Sequence, residues 1–292
     1  MAAKRPLIQR LCIIGVGLIG GSLARALREA GEVGEVIGCG RGEANLQAAV
    51  RLGVVDRYET DPAHAVAGAD VVVVAVPLGA MAAVLRSIVP HLALEAVVTD
   101  VGSAKGSVVE DVARIYGGIP PRFVPGHPIA GTENSGVEAS FATLFQRRRV
   151  ILTPLAETAA TAHHLIQQMW ELTGAEVVDM GVHHHDAVLA ATSHLPHLLA
   201  YTLVDTLARL DDRAEIFRYA AGGFRDFTRI ASSDPTMWRD ICVANREQLL
   251  EMIALFNADL TQLAEAIRHD DHAAILATFQ RAKRARDNLY LE

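Results

Sequence analysis

The chain has 292 residues, of which 51% are hydrophobic and 21% charged, and its formal net charge is −7 at pH 7. This length is sufficient for two domains with sizeable apolar cores. The negative charge and the lack of a basic stripe argue against nucleic acid as the main partner. Three scattered cysteines have neither disulfide nor zinc-site spacing, so we expect a reducing, cytoplasmic location. The most apolar window, residues 71–85, is too short to span a bilayer, and we expect no membrane partner.

A glycine-rich turn lies between an apolar run and a helical period near the N-terminus. Gly15, Gly17 and Gly20 form the pattern G-x-G-x-x-G directly after the apolar residues 11–14. In this context the glycines permit a tight turn, a close approach of backbone to a pyrophosphate, and close packing of helix on strand. The sequence therefore predicts a dinucleotide cofactor; a glycine turn that binds nothing is the alternative. The residues expected to contact the dinucleotide here are Gly15, Gly17, Leu18, Ile19 and Gly20.

Short β-branched runs alternate with helical periods over the first 180 residues. The predicted strands cover 11–14, 36–38, 71–76, 96–99, 123–124, 150–152 and 177–178. The predicted helices cover 22–30, 44–52, 81–89, 106–116 and 158–172. This alternation predicts an α/β fold of the Rossmann type, with a mostly parallel sheet and helices on both faces.

Beyond Met180 only helical periods remain, with a break expected at Pro196 because proline lacks the N–H of a helix interior. We place a boundary near Gly181, between a dinucleotide-binding domain over 1–181 and an all-helical domain over 182–292. The helical part is rich in apolar residues, which predicts a homodimer interface. A self-contained monomeric bundle is the alternative.

A parallel sheet binds its ligands outside the carboxyl ends of its strands. Val76 and Pro77 follow one predicted strand, Ser103 lies in the loop after another, and His127 follows a third. We therefore expect Val76, Pro77 and Ser103 to line the cofactor.

Coenzyme choice depends on the residues after the second predicted strand. An NAD-binding fold usually carries Asp or Glu there, bonded to the ribose hydroxyls. Here Gly40 stands at that position and Arg41 follows it. Without the carboxylate a 2′-phosphate is not repelled, and the guanidinium can pair with it in fork geometry. The sequence predicts NADP, with NAD as the alternative if Arg41 is only a solvated surface residue.

Four blocks of sequence occur in a fixed order along the chain. They are LIGGS at 18–22, HPIAG at 127–131, SHLPH at 193–197 and GGFRDFTRIA at 222–231. With these blocks the chain closely resembles the prephenate/arogenate (cyclohexadienyl) dehydrogenases of tyrosine biosynthesis. The resemblance implies a Rossmann domain followed by a helical domain that forms a dimer. It also implies NAD(P)-dependent oxidative decarboxylation of prephenate to 4-hydroxyphenylpyruvate, of arogenate to tyrosine, or of both.

Two residues are expected to act at the hydroxyl group of the substrate. His127 suits a proton acceptor because imidazole titrates near neutrality, although a histidine that caps a turn is the alternative. Ser103 matches the serine of the family that bonds the same hydroxyl and orients His127; it could equally be a helix N-cap.

Further residues are expected to hold the substrate. Arg229 can bind a carboxylate in bidentate geometry, and Asp226, three residues earlier, could orient it. The resemblance implies that Ser193 and His197 contact the side chain of the substrate. Ser193 and His197 are four residues apart and share one helix face, whereas the side chain of the neighbouring His194 should point elsewhere.

Each of two further residues could belong to the site or have a purely structural or surface role. Trp238 could form a wall of the pocket or be a core tryptophan. Glu133 matches an acidic residue of the family near the mouth of the site, and could also be a plain surface carboxylate.

No metal site is expected. The run His183-His184-His185 points in different directions on a helix, so we interpret it as a solvated helix start. Two other readings remain open. One is an imine or β-hydroxyacid dehydrogenase of the same architecture, and the other is a nicotinamide-sensing or dimerising regulatory protein without turnover. No residue distinguishes prephenate from arogenate.

Overall fold

The computed structural model describes residues 5–132 and 134–288, and its main sheet is built from parallel strands. These strands are β1 (Ile8–Ile14), β2 (Val33–Cys39), β3 (Arg57–Glu59), β4 (Val71–Val74), β5 (Val97–Asp100) and β6 (Phe123–Val124). Within the described residues the sheet has the order β3-β2-β1-β4-β5-β6, and every neighbouring pair is parallel. Strand order reverses between β1 and β4, which is where doubly wound sheets bind dinucleotides. The predicted Rossmann-type fold is confirmed.

Helices cover both faces of this sheet. They are α1 (Leu18–Glu29), α2 (Glu43–Arg51), α3 (Pro62–Ala65), α4 (Leu78–Ile88) and α5 (Gly106–Tyr116). All four valines of β4 are buried, because a parallel strand between two helical layers contacts apolar side chains on both faces. Two clusters of buried residues, one on each face, form the core around the sheet.

The α/β part of the chain continues into a second, smaller sheet. It contains β7 (Gly126–Pro128), β8 (Arg149–Leu152) and β9 (Glu176–Asp179), and α6 (Ala160–Glu171) connects the last two. β7 is antiparallel to β8, whereas β8 and β9 are parallel. The sequence did not predict β3 or β7, because Arg57–Glu59 and Gly126–Pro128 contain no β-branched run. His127 therefore follows β6 of the first sheet, as predicted, and lies inside a short strand of the second.

The remainder of the described chain is helical. Its helices are α7 (Val182–Leu189), α8 (Leu195–Ala208), α9 (Arg213–Arg218), α10 (Gly222–Thr228), α11 (Pro235–Ala244), α12 (Arg246–Arg268) and α13 (His272–Asn288). The predicted break at Pro196 takes the form of a π-helical turn over Ala190–His194, between α7 and α8. A π-helical turn interrupts the α-helical hydrogen-bond pattern, so the helix tolerates the missing backbone N–H of Pro196.

The chain forms two compact units, one up to Arg246 and one from Glu247 onward. The first unit contains both sheets together with α7 to α11. All the residues of the site described below belong to this first unit.

The segment from Val182 to Ala208 is long and apolar enough, by composition alone, to cross a membrane. It carries the buried polar side chains of His185, Asp186 and His194. These side chains make hydrogen bonds to β7, to the start of α5 and to Asn245 of the same unit. These hydrogen bonds show that one face of the segment packs against its own unit, since polar side chains that face lipid find no such partners.

Candidate active site

The glycine turn at the start of α1 has the shape of a dinucleotide cradle. Gly15 has a φ of +101°, and a Cβ there would lie 2.1 Å from the carbonyl oxygen of Ala75. A Cβ at Gly20 would lie 2.4 Å from the carbonyl oxygen of Gly15. Gly17, by contrast, faces open space directly before the first residue of α1. The backbone N–H groups at this helix start are thus approachable by a pyrophosphate, so the residues present fit the cofactor.

The other predicted cofactor residues surround the carboxyl edge of the main sheet. β2 ends at the buried Cys39, and Gly40 and the exposed Arg41 follow it. Val76, half-buried, and Pro77, exposed, follow β4 and precede α4. These positions are where a doubly wound sheet presents residues to the adenosine and nicotinamide ends of a dinucleotide.

His127 is held in β7 as a buried imidazole. Its side chain is only 8% exposed, and its Nδ1 lies 2.8 Å from Nε2 of His185. Burial lowers the pKa of His127 well below the ordinary value, and charge repulsion from His185, Lys105 and His194 lowers this pKa further. His127 is therefore neutral at pH 7, which leaves one ring nitrogen able to accept a proton.

The sequence interpretation of residues 183–185 as a solvated helix start is wrong for His185. His183 and His184 are exposed, but His185 is 0% exposed. The helical period contains the signal: His185 lies four residues before Leu189, which is buried, so both share the inner face of α7. Three adjacent histidines point in different directions, and here one of them points into the protein.

Asp186, next to His185, joins α7 to the start of α5. Its carboxylate oxygens accept the backbone N–H groups of Lys105 and Gly106, each at 2.8 Å, and the Nδ1 of His185 lies 2.8 Å from Oδ1. Burial opposes the charge of Asp186, but the hydrogen bonds from His185 and from the two backbone N–H groups outweigh it and lower the pKa. Asp186 is therefore an ionised side chain at the N-terminus of a helix, where negative charge is favoured.

A buried ion pair fixes the backbone next to His127. Lys105 is 0% exposed, and its Nζ donates to Oδ2 of Asp100 and, at 2.7 Å, to the carbonyl oxygen of Gly126. Asp100 in turn accepts the backbone N–H groups of Gly102 at 2.7 Å and of Gly126 at 3.2 Å. Burial lowers the pKa of Lys105, and the charge of Asp100 opposes that shift. The pair ties the end of β5 to the strand that carries His127.

Ser103 lies half-buried in the loop between β5 and α5. The alternative that Ser103 is the N-cap of α5 is wrong, because Lys105 occupies the N-cap position and Asp186 supplies the capping oxygens. His194 approaches this loop from the π-helical turn. Burial lowers the pKa of His194 to about 4, and the backbone carbonyl of Ser103 is one of the groups that oppose the shift. Nδ2 of Asn245 lies 3.1 Å from Nδ1 of His194, whereas Nε2 of that ring is buried without a hydrogen bond to the described residues.

His197, Ser193, Trp238 and Arg229 form a second cluster along the helices. The Nδ1 of His197 lies 2.8 Å from the carbonyl oxygen of Ser193, as expected for residues four apart on one face. The rings of His197 and Trp238 stack with centroids 3.7 Å apart and planes inclined by 19°. Burial lowers the pKa of His197, the hydrogen bond to Ser193 opposes the shift, and the charge of Arg229 lowers the pKa further. Arg229 itself is exposed.

Two predicted substrate residues are not brought into contact with the others. Asp226 and Arg229 are both exposed, and among the described residues no hydrogen bond or ion pair joins them. Glu133 lies outside the described residues.

The two clusters are neighbours through His194. His127 and His197 each interact electrostatically with His194, and the ring centroid of His194 lies 6.2 Å from that of Trp238. Side chains thus follow one another from the imidazole in β7 through His194 to the stacked rings of His197 and Trp238, and the charge of Arg229 acts on His197. The sequence reasoning did not assign a role to five members of this network: Lys105, His185, Asp186, His194 and Asn245.

Comparison with known proteins identifies the family of the chain. The prephenate dehydrogenase nucleotide-binding domain family matches residues 23–179, and the prephenate dehydrogenase dimerization domain family matches residues 182–281. The chain belongs to the prephenate dehydrogenase family. It is 40% identical over 281 residues to a cyclohexadienyl dehydrogenase of Zymomonas mobilis, with 95% of each chain covered. It is 34% identical over 286 residues to a prephenate dehydrogenase of Bacillus subtilis, with 96% of this chain and 76% of that one covered.

A crystal structure of the prephenate dehydrogenase of A. aeolicus, in complex with hydroxyphenyl propionate and NAD+, is similar to the whole fold. Its TM-score is 0.89 at 38% identity, covering 96% of this chain and 98% of that chain. The resemblance predicted from the four sequence blocks is confirmed, and the chain is a nicotinamide-dependent dehydrogenase.

Proposed function

We propose that this member of the prephenate dehydrogenase family oxidatively decarboxylates prephenate, arogenate or both, with His127 as the proton acceptor. The observation that carries the proposal is a buried imidazole, uncharged at pH 7, fixed by hydrogen bonds beside the carboxyl edge of a Rossmann sheet. A neutral histidine at that position can remove a hydroxyl proton while the adjacent carbon is oxidised.

The chemistry needs few groups from the protein. When bound, the nicotinamide coenzyme supplies the acceptor for the hydride that leaves C4 of the substrate ring. His127 takes the proton of the 4-hydroxyl group, and the electrons of the bond between C1 and its carboxylate enter the ring as CO2 leaves. His127 then returns its proton to the phenolate oxygen, so the histidine ends each cycle neutral. Aromatisation drives the reaction, and the main task of the protein is to position the reacting groups.

The remaining site residues are proposed to hold the substrate. Arg229 binds one substrate carboxylate, because a guanidinium offers two parallel donors to it. Ser193 and His197 contact the side chain at the far end of the substrate, and Trp238, stacked on His197, restricts the position of that imidazole. Ser103 donates to the ring hydroxyl from the loop next to the coenzyme.

Steady-state kinetics with each substrate and each coenzyme test the proposal. Prephenate and arogenate are each incubated with NAD and with NADP, and the absorbance of the reduced coenzyme is recorded together with the release of CO2. We expect reduction of a coenzyme in equal amount to the CO2 released. A protein that reduces neither coenzyme with either substrate would refute the assignment.

NADP is the proposed coenzyme in preference to NAD. A Cβ at Gly40 would contact only the Cδ2 of Leu46, at 3.7 Å, so this position has room for a carboxylate that the chain does not carry. The exposed Arg41 beside it is available to pair with a 2′-phosphate.

Substitution at Gly40 tests this preference directly. In Gly40→Asp we expect the ratio of kcat/KM for NADP to that for NAD to fall by at least tenfold, because a carboxylate repels the 2′-phosphate and binds the ribose hydroxyls of NAD. A tenfold change in this ratio corresponds to roughly 1.4 kcal/mol of difference in transition-state binding between the two coenzymes. Arg51→Ala, at the exposed far end of α2, is the control and should leave the ratio unchanged. A clear preference of the unaltered protein for NAD contradicts the proposal.

We further propose that residues 1–181 hold the coenzyme and that residues 182–292 supply substrate contacts and form a homodimer. The family match over 182–281 is to a dimerization domain, and exposed leucines lie along α12 and α13. The cytoplasm is the proposed location, which agrees with three free cysteines.

A further inference from the structure

Three buried side chains form an unbroken line of hydrogen bonds that ends at the proposed base. Oδ1 of Asp186 lies 2.8 Å from Nδ1 of His185, and Nε2 of His185 lies 2.8 Å from Nδ1 of His127. The exposed fractions are 6% for Asp186, 0% for His185 and 8% for His127. The line joins α7 to β7, across 58 residues of sequence, and water does not compete for its members.

The hydrogen bonds along this line run in one direction, because the carboxylate of Asp186 can only accept hydrogen bonds. An ionised carboxylate has no proton to donate, and the backbone N–H groups of Lys105 and Gly106 already point at both oxygens of Asp186. Nδ1 of His185 must therefore donate to Asp186. In neutral His185 the remaining nitrogen, Nε2, then carries a lone pair and accepts a hydrogen bond from Nδ1 of His127.

We propose that Asp186 and His185 are positioning residues that hold His127 in the tautomer with its proton on Nδ1, which leaves Nε2 as the atom that accepts the substrate proton. The inference deepens the proposed function and rests on it for the role of Nε2. When Nε2 takes the proton, the imidazolium of His127 keeps its hydrogen bond to His185, and the charge of Asp186 stabilises it through that residue. The same orienting role of a carboxylate behind a histidine base is known in serine proteases.

Besides Asp186, the line has a buried ion pair and a further buried histidine beside it. Lys105 is a buried cation next to the cluster, and it is already paired with Asp100. His194 also interacts with the line, and burial lowers its pKa to about 4, so it adds no positive charge at neutral pH. Asp186 is therefore the carboxylate that stabilises a positive charge on this line, and that charge develops at His127 during turnover.

The tautomer can be measured without any substrate. Protein labelled with ¹⁵N in its histidine rings gives long-range ¹H–¹⁵N correlations that distinguish a protonated ring nitrogen from one with a lone pair. The signals of His127 are those missing from the spectrum of His127→Asn. At neutral pH we expect His127 to be protonated on Nδ1 and unprotonated on Nε2. A proton on Nε2 of His127 overturns the inference, whatever activity the protein has.

Kinetics of two substitutions at His185 test its positioning role. In His185→Leu we expect kcat to fall about 100-fold, the cost of a misplaced reacting group, with the KM values changed little. His185→Gln should recover most of this loss, because its amide oxygen can accept the hydrogen bond from Nδ1 of His127. His184→Leu, at the exposed neighbouring position, is the matched control and should retain full kcat. Equal activity of His185→Leu and the unaltered protein overturns the inference.

The two experiments separate this inference from the proposed function. If the protein turns over neither prephenate nor arogenate, the proposed function fails while the NMR measurement still decides the tautomer. If the protein is active but His127 carries its proton on Nε2, the proposed function stands and the positioning role fails. Thermal unfolding shows whether His185→Leu is folded. If it is not, the kinetics of His185→Gln test the positioning role.

Discussion

At the scale of single residues, the site depends on histidines that the fold keeps uncharged. Burial lowers the pKa of His127, His194 and His197, because an imidazolium loses its hydration inside the protein. A base must be unprotonated before it can accept a proton. The low pKa values therefore keep His127 ready at neutral and moderately acidic pH, at the expense of its intrinsic basicity.

Removal of the base should be visible in kcat. In His127→Asn we expect kcat to fall by roughly two to four orders of magnitude, the range for loss of a general base, while coenzyme binding survives. His184→Asn carries the same substitution at an exposed position of α7 and should behave as the unaltered protein. Stopped-flow and steady-state measurements of coenzyme reduction give kcat, and fluorescence titration gives coenzyme binding. Near-normal kcat in His127→Asn would end the assignment.

Arg229 should act on binding rather than on chemistry. Its guanidinium is exposed in the free protein, so loss of a substrate carboxylate contact in Arg229→Ala should lower kcat/KM by about 30-fold, or roughly 2 kcal/mol, the low end for a truncated charge pair. We expect most of the change in KM. Arg225→Ala, on an exposed turn of α10, is the control. A change confined to kcat would instead indicate a contact made only in the transition state.

At the scale of elements, carboxylates from the helical part of the unit bind the N-termini of two helices that flank the main sheet. Asp186 of α7 caps the start of α5, and Asp240 of α11 accepts the backbone N–H of Gly79 at the start of α4, at 3.2 Å. Both contacts lie beside the loops expected to line the cofactor. Because helix N-termini favour negative charge, these contacts fix α7 and α11 against the sheet edge where chemistry is proposed.

The buried pair of Lys105 and Asp100 should be the strongest single constraint on this edge. Lys105→Met leaves Asp100 buried without its counter-charge, and we expect the free energy of unfolding to fall by about 3–5 kcal/mol. Lys283→Met removes the equivalent partner of Asp287 on the surface of α13, and should cost less than about 1 kcal/mol. Urea unfolding followed by circular dichroism measures both. Equal losses in the two variants would show that the buried pair adds no stability.

At the scale of the whole molecule, the C-terminal unit presents apolar side chains to its surroundings. Leu260 and Ile267 of α12 are 52% and 59% exposed, and they lie seven residues apart on one face. Leu276 and Phe279 of α13 are 57% and 56% exposed. Such exposed apolar side chains, in a segment that matches a dimerization domain family, are the surface that the proposed homodimer would cover.

Charge on that face should dissociate the dimer. We expect the unaltered protein to sediment at twice the chain mass of 31.3 kDa, and the double variant Leu260→Glu/Ile267→Glu to shift toward the monomer, because carboxylates buried between copies lose their hydration. Ala258→Glu is the control, since helical periodicity places it on the opposite side of α12. Sedimentation equilibrium at several concentrations measures the change. A monomeric unaltered protein would contradict the proposed dimer.

Local sequence was sufficient for the architecture. The glycine turn, the buried β-branched runs and the helical periods are properties of neighbouring residues, and they predicted the Rossmann-type sheet, the all-helical remainder and the break at Pro196. The same short range explains what was missed. β3 and β7 have no β-branched residues, and only pairing with other strands defines them.

The network around His127 was decided by tertiary structure alone. His185 is 58 residues from His127 in sequence, and Asp186 is 81 residues from the backbone N–H of Lys105 that it accepts. A histidine in a polar run is typical of a solvated helix start, and nothing nearby in the chain indicates otherwise except its phase relative to Leu189. The sequence by itself determined which residue types were available for the chemistry. Only packing of α7 against β7 and α5 decided which of them share a proton, since hydrogen bonds form between atoms close in space, whatever their distance along the chain.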